Sequence, residues 1–594
     1  MTQYKAPLRD YRFVLTELFD VGELAKLPGY EEATPDLFAS VLEEGAKLCE
    51  EVLLPINRNG DEEGCTFENG VVRTPKGFKE AYNTFREGGW TALGCDPAYG
   101  GQGLPRTLHF FVEEMICASN LAFGMYPGLS YGAYNAIKEH ADEELRKRFL
   151  PKLADGTWSG TMCLTEPHCG TDLGQIRTKA EPAGNGTYKI TGTKIFISAG
   201  EHDLTENIIH LVLAKIPGGP AGTRGISLFV VPKFLAKDDG SLGARNGLRC
   251  GSIEHKMGIK ASSTCVMNFD GAEGYLVGEA HKGMRAMFTM MNGARLGVGL
   301  QGLGVGEIAY QTARTYASER LQGRSVAGDK FPDKPADPII VHPDVRRMLL
   351  TMRAWNEGAR ALAAWVAIEL DRAAKHPDAA VRQEADDFVS LMTPIVKAMF
   401  TDNGFATCNI GMQVMGGHGY IREWGMEQLA RDGRITLIYE GTNGIQALDL
   451  IGRKLPMHLG RLLRTFFHPV DAYVRERLEK PELAEFVLPL AKAFGRLQQS
   501  SALIAQKGLA DPEEAAAAAT DYLRLFGLVA FAYMWARMAE IALGKTEGED
   551  AVFYKGKLAT ARFFMARLLP ESSALAANIG AGAKTLMALE AEAF

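Results

Sequence analysis

The chain of 594 residues carries few of the signatures that identify an enzyme from sequence. Its nine cysteines are odd in number, scattered, and include no CxxC pair, so neither a disulfide framework nor a structural zinc site is expected. No HExxH and no GxSxG occurs, which removes the common zinc and serine hydrolases and leaves no metal to expect. The loop AYGGQG around Gly100 has no Lys-Ser/Thr after it and reads as a turn, not a P-loop. There is no basic block: the 65 Lys and Arg are dispersed under a net charge of −7, so no nucleic acid is expected as a partner. Long apolar runs are missing too. The longest, Leu525 to Ala536, falls well short of the ~20 residues that cross a bilayer and reads as a buried helix, so no transmembrane segment is expected. The first residues, MTQYKAPLRDYRF, place charges where a signal peptide needs an apolar region, and read as mature protein. A cytoplasmic or similarly reducing location is the expectation.

What is present is ordinary globular material, 46% hydrophobic and 23% charged, in a chain long enough for about three or four domains. From Pro35 to about Leu153 apolar residues recur at helical spacing, as in PDLFASVLEEGAKLCEEVLLPI, with Asp36 as an early helix-start signal. Between Thr161 and about Gly278 the texture changes to short β-branched or aromatic runs, among them TYKITGTKIFIS, NIIHLVLAKI and GISLFVVPKF, separated by Gly, Pro and Asn. The helical period returns from Gly283 to about Lys454. A final stretch rich in Ala and Leu, including EEAAAAATDYLRLFGLVAFAYMWARMAEIALG, reads as an extra helical domain.

Two local features need weighing. The glycines Gly297, Gly299 and Gly302 spell GxGxxG, but the pattern follows no strand, so small residues for close helix packing explain it better than a dinucleotide fold. In RDGRITLIYEGTNGIQ an apolar run ends on Glu440, before Gly441 and Thr442. Spacing alone leaves Glu440 open between a partly desolvated base and a helix-start acid facing solvent. His168 and His418 are read as structural histidines, with no catalytic role.

Several separated motifs, in order, resemble the acyl-CoA dehydrogenase family. MCLTEPHCGTDLG (Met162–Gly174) is similar to the family's TEPxxGSD signature, and GTKIFISAG to its GxKxWITN strand. EHKMGIKASSTCVMNFDGAEGYLVG resembles the segment closing the β domain. NGARLGVG carries Arg295 at the family's CoA-facing arginine, and YASERLQGRS resembles YAxxRxQFG. QVMGGHGYIREWGMEQLARDGRITLIYEGTNGIQ resembles the long signature that holds the catalytic carboxylate, at Glu440. Together these cover roughly residues 35 to 455. Three departures stand out: Gln322 runs directly into Gly323, Phe196 replaces the tryptophan, and Gly444 replaces a Gln or Glu.

The resemblance implies an α+β multidomain fold: an N-terminal extension (1–34), an N-terminal helical domain (35–157), a middle β-barrel-like domain (158–280), a C-terminal four-helix bundle (281–455) and an additional helical domain (456–594). It implies FAD as cofactor, with Met162, Leu164, Thr165, Gly170, Thr171, Phe196, Ser198 and Thr442 at the flavin. Arg320, Gln322, Gln413, Gly416 and Gly417 would reach the FAD of a neighbouring subunit, hence a homodimer. Thr171, Arg295, Tyr439 and Gly441 are assigned to the acyl-CoA substrate, and Glu440 to removal of the α proton. The expected reaction is α,β-dehydrogenation of a medium- or long-chain fatty acyl-CoA in β-oxidation, with electron-transfer flavoprotein as acceptor. The extra domain and the YKAPLRDYRFVLTELFD start resemble a longer bacterial branch that includes fatty acyl-CoA and 3-methylmercaptopropionyl-CoA dehydrogenases, which makes the methylthio substrate an alternative. An oxidase on the same scaffold and a non-catalytic acyl-CoA-binding protein are the others.

Overall fold

Thr34 opens the helix Pro35–Lys47 by accepting the Leu37 N–H at 3.2 Å, with Pro35 at the first helical position and Asp36 in the first turn. This computed structural model describes residues 3–237 and 240–594; Met1 and Thr2 of the N-terminal extension lie outside the described residues. Two compact units form, one from Met1–Glu43, Arg106–Glu114 and Val298–Phe594, the other from Glu44–Pro105 and Met115–Gly297. The long helix α1 (Arg106–His140) is interrupted at Asn120 (φ −159°, ψ 87°). There the Asn120 carboxamide oxygen accepts the Phe123 N–H at 3.0 Å and restarts the helix with a cap of its own.

The sheet belongs to the second unit. Its strands are β1 (Trp158–Cys163), β2 (Lys179–Pro182), β3 (Tyr188–Ser198), β4 (Asn207–Lys215), β5 (Ile226–Pro232), β6 (Leu248–Ile253) and β7 (Thr264–Val277). They run in the order β6-β7-β3-β2-β4-β1, and β5 pairs with both β7 and β4. The path β7-β3-β2-β4-β5 therefore returns to β7, closing the β-barrel-like middle domain expected from the sequence. Strands β4 and β5 are buried along almost their whole length, which is why they read as continuous apolar runs rather than alternating ones. Val212, Phe229 and Met267 pack one face of the sheet, whereas Leu211 and Val230 pack the other with Phe149 and Trp158.

The bundle is made by α2 (Gly283–Glu319), which belongs to the first unit from Val298 onward, with α3 (Pro343–Lys375) and α4 (Ala379–Met415), followed by the short α5 (Asn443–Asp449). The GxGxxG glycines lie inside α2, and close packing is the use of Gly299 and Gly302. A Cβ on Gly302 would sit 2.5 Å from the Phe400 carbonyl oxygen, and one on Gly404 only 2.1 Å from that of Gly302. The extra helical domain contributes α6 (Ala484–Ala510), α7 (Pro512–Leu543) and α8 (Ala551–Phe563). Helix α7 is long and apolar enough to cross a membrane by length and composition, yet 83% of its most apolar window is buried in the protein. Every residue from Leu525 to Ala536 is buried, as the sequence suggested, and Gly358 and Gly527 let α7 approach α3 and α4 closely. Trp535 of α7 donates its indole N–H to the Ala354 carbonyl of α3 at 3.1 Å.

Candidate active site

Strand β1 is buried at every residue except Met162, which is half-buried and points to the opposite side from Thr161 and Cys163. The chain then runs through buried Leu164 to Thr165, whose carbonyl accepts the Ile195 N–H of β3 at 2.9 Å. That bond sets the TEP segment beside Phe196 and Ser198. Five expected flavin contacts, Met162, Leu164, Thr165, Phe196 and Ser198, thus lie on two adjoining segments. Gly170 and Thr171 are exposed and come directly after a turn closed by paired backbone hydrogen bonds between Glu166 and Cys169 at 2.9 and 3.1 Å. A Cβ on Gly170 would meet only the Thr165 methyl, at 3.7 Å, so the backbone there is open to close approach.

A buried ion pair that the sequence reading did not single out holds this turn. The Lys194 ammonium donates to Glu166 Oε1 and to the Leu164 carbonyl, each at 2.9 Å. Glu166 also accepts from Arg177 N–H (2.6 Å), Thr178 N–H (3.0 Å) and the Thr178 hydroxyl (2.6 Å). Burial alone would raise the Glu166 carboxyl, but Lys194 and these donors outweigh it and hold it below the ordinary range. Glu166, His168 and Cys169 bring potential ligand atoms within 4.8 Å of one another, but both Glu166 oxygens are already taken and His168 Nε2 sits 3.0 Å from the Gln175 carbonyl. Lys194→Met should cost about 2 kcal/mol, because the carboxylate loses its cation yet keeps three donors. Thermal denaturation of the yellow protein, with bound FAD measured alongside, checks it.

Phe196 is the strongest sign of a planar ligand. Its φ of +58° is left-handed, a costly conformation for a bulky side chain, and the residue is 58% exposed. Pairing of Ile197 and Ser198 with Cys265 and Thr264 of β7 clamps the next two residues and holds that conformation. A strained, exposed aromatic with hydroxyls nearby in the chain at Ser198 and, across the Ile195–Thr165 hydrogen bond, at Thr165 suits a planar ligand with a polar edge such as a flavin ring. Arg295 lies elsewhere in the same unit, 6% exposed, with its guanidinium 5.9 Å from the Phe288 ring centroid.

In the other unit, Glu440 is half-buried in a bend between a 3-10 turn (Ile435–Leu437) and α5. The run ITLIY is less packed than its composition suggested: Thr436 is buried, but Ile438 is 50% exposed, because a 3-10 turn spreads successive side chains around its axis. Both sides of the carboxylate are tied down. The Tyr439 hydroxyl donates to Gln301 of α2, the Gln446 carboxamide donates to the Gly441 carbonyl at 2.7 Å, and the Thr442 hydroxyl donates to the Leu437 carbonyl at 3.1 Å. Gly441 has φ +71°, so glycine is needed right after the acid. Asn443 anchors α5 to α4 by accepting from Lys397 (2.7 Å) and donating to Asp402 (2.7 Å). Gln301, Gln446 and the Asn443 contacts had no signal in the sequence beyond their nearness to the motif.

The residues assigned to a neighbour's FAD are exposed. Arg320 and Gln322 follow the end of α2, where the Ile339 N–H donates to the Arg320 carbonyl at 2.8 Å and the Gln322 N–H to the Asp337 carbonyl at 3.0 Å. Gln413 is exposed at the end of α4, and Cβ atoms on Gly416 and Gly417 would meet nothing within 4 Å. Nearby His418 has the Tyr316 hydroxyl 2.8 Å from Nδ1, and its ring stacks on Trp424 with centroids 4.4 Å apart, a structural use.

Each unit thus carries part of what a flavin enzyme needs: the sheet of one presents an exposed aromatic, Phe196, and the other holds a half-buried carboxylate, Glu440. Family models match in order: Acyl-CoA dehydrogenase, N-terminal domain (residues 40–157), middle domain (161–272), C-terminal domain (281–455), and Acetyl-CoA dehydrogenase C-terminal like (466–590). The chain belongs to the acyl-CoA dehydrogenase family, and it is an FAD-dependent oxidoreductase that dehydrogenates acyl-CoA. It is 43% identical to the 3-methylmercaptopropionyl-CoA dehydrogenase of Ruegeria pomeroyi over 96% of this chain and 97% of that protein. A butyryl-CoA dehydrogenase of Syntrophomonas wolfei is 36% identical over 96% and 95% of the two chains. The fold is shared with an acyl-CoA dehydrogenase from Bacillus anthracis complexed with FAD, at TM-score 0.74 and 22% identity over 95% and 90% of the chains.

Proposed function

We propose that this enzyme acts on short linear acyl-CoA thioesters of the 3-methylmercaptopropionyl kind, with Glu440 as the base that takes the α proton. The observation that carries the chemistry is the half-buried carboxylate of Glu440, held between anchored Tyr439 and left-handed Gly441. What supports the substrate is the end-to-end likeness to the Ruegeria pomeroyi protein, backed by the Syntrophomonas wolfei butyryl-CoA dehydrogenase.

An α carbon beside a thioester is too weak an acid for a solvated carboxylate, so charge developing on the carbonyl oxygen needs donors in place beforehand. The Glu440 backbone N–H is the protein donor assigned there, and Gly441 lets the thioester approach the backbone closely. Phe196 would lie against the flavin ring, Thr165 and Ser198 would hydrogen-bond its polar edge, and Thr171 and Arg295 would serve the thioester arm and the CoA. FAD, when bound, supplies the acceptor for the β hydrogen and its electron pair. Closing the site over the acyl chain expels water and raises the basicity of the carboxylate as it is needed. Electron-transfer flavoprotein is the acceptor we assign. The exposure of Arg320, Gln322, Gln413, Gly416 and Gly417 supports a homodimer in which each subunit completes its partner's FAD site.

The test is a profile of kcat/KM over acyl-CoA lengths with the methylthio thioester included. We expect a maximum at 3-methylmercaptopropionyl- or butyryl-CoA and a fall toward longer chains; a rise through octanoyl- to palmitoyl-CoA would replace this assignment with the fatty acyl reading. Rapid reoxidation of the reduced enzyme by oxygen, with peroxide release, would replace electron-transfer flavoprotein with an oxidase activity.

A further inference from the structure

The backbone is fixed on both sides of Glu440. Upstream, the Ile438 and Tyr439 N–H groups donate to the Ile435 carbonyl at 2.9 and 3.1 Å; downstream, the Thr442 carbonyl accepts the Ile445 and Gln446 N–H groups at 2.8 and 3.0 Å as α5 begins. Between these clamps lie Glu440 and Gly441, and glycine brings the widest choice of backbone angles to the residue after the acid. The Gln446 side chain reaches back into this gap, where its Nε2 donates to the Gly441 carbonyl at 2.7 Å. A carbonyl can only accept, so the carboxamide must present its nitrogen there, and that choice turns Oε1 away. Gln446 is fully buried, and this Oε1 has no hydrogen-bond partner among the described residues. A buried acceptor without a donor lowers stability, so packing does not explain a glutamine at this place; a methionine or leucine would fill it without that cost. Asn443 is different, because its side chain is bonded to α4, through buried Lys397, Thr401 and Asp402.

We propose that Gln446 is a positioning residue for proton abstraction: by holding the Gly441 peptide it sets the direction of the Glu440 carboxylate. The inference rests on the reading of Glu440 as the base. Pinning the Gly441 carbonyl fixes the ψ of that glycine, and Tyr439 is held by Ile435 and Gln301, so Glu440 hangs between two clamps rather than from one. Without the carboxamide donor the glycine peptide can rotate, and the carboxylate spends less time in line with the α carbon. Gly441 is half-buried, so water can satisfy its carbonyl, but a mobile water does not hold the peptide still. A misplacement of about 1 Å at a reacting group costs about 10²-fold in rate, and the loss falls on kcat because binding of the thioester does not depend on that alignment.

The experiment follows flavin bleaching by butyryl-CoA in anaerobic stopped flow, using full-length, FAD-loaded Gln446→Met and Gln446→Leu, with Glu440→Gln and the double variant Glu440→Gln/Gln446→Met alongside. We expect both Gln446 variants to purify yellow with a thermal midpoint at or above that of the wild type. They should reduce their flavin about 10- to 10²-fold more slowly, with the substrate concentration for half-maximal rate changed by less than about twofold. The double variant should bleach no more slowly than Glu440→Gln alone, because a residue acting through the carboxylate then has nothing left to position. A wild-type bleaching rate in the Gln446 variants would overturn the proposal. So would a slow rate accompanied by lost flavin or a lowered midpoint, which marks a structural role, or a loss that multiplies with that of Glu440→Gln. A Glu440→Gln protein that bleaches at the wild-type rate overturns the base reading and this proposal with it, whereas a slow Glu440→Gln beside an unaffected Gln446→Met overturns the proposal alone.

Discussion

Glu440→Gln should purify yellow, with its flavin absorbance and thermal midpoint unchanged, and turn over acyl-CoA about 10²- to 10⁴-fold more slowly than the wild-type enzyme. The carboxamide has nearly the shape of the carboxylate, so the ties around it stay in place: Tyr439 to Gln301, Gln446 to Gly441, Thr442 to Leu437. What it lacks is a lone pair basic enough to take the proton. The loss should therefore fall on kcat, with substrate binding little altered, because the interaction removed is one made on the way to the transition state. Anaerobic stopped-flow bleaching of the flavin by excess substrate reads this step directly. A bleaching rate within about tenfold of wild type would remove Glu440 from the base's role and direct attention to another acid near the thioester.

The sequence disclosed the middle β domain because its strands are β-branched and aromatic and are broken by Gly, Pro and Asn, whereas its barrel-like closure was legible only through the family resemblance. It disclosed the burial of α7 because an apolar run too short for a bilayer needs a protein around it. It did not disclose the small hairpin Thr66–Glu68 and Val71–Arg73, although Asn69-Gly70, at φ 51° and 83°, is the dipeptide that favours such a turn. Three-residue strands are too short to show alternation, and they lie within an otherwise helical stretch. Glu440 was legible only through the motifs flanking it, since its local pattern suited a base or a helix start equally. The Glu166–Lys194 pair was hidden by its 28-residue separation, which no periodicity bridges. Hidden more deeply still was a cluster of buried charges whose members come from the whole length of the first unit.

Arg360→Met should destabilise the protein by about 3–5 kcal/mol, because Arg360 is the hub of that cluster and its loss strands buried carboxylates. The guanidinium is 1% exposed and donates to Asp10 (2.5 Å), Glu114 (2.6 Å) and Glu307 (2.9 Å), which belong to the N-terminal segment, α1 and α2. Lys557 of α8 completes the network by pairing with Asp10 and, at 2.7 Å, with Glu357. One fork thus joins the N-terminal segment to the bundle, and Lys557 joins the extra domain to both. Arg360→Lys should recover little, since a compact ammonium cannot direct parallel donors to three acids. The same cluster sets a pH dependence. Burial raises Glu114 to about 7 even though Arg360 opposes it. A carboxyl whose folded value lies above its unfolded one holds its proton better in the native state. Its contribution to stability is therefore complete below about pH 4.5 and is lost as pH rises toward 7, by up to about 1.4 kcal/mol per pH unit. Glu114→Gln, which keeps a neutral hydrogen-bonding group in place, should flatten that part of the curve of thermal midpoint against pH. An Arg360→Met protein as stable as wild type would mean that the N-terminal segment and the extra domain are held by apolar packing alone.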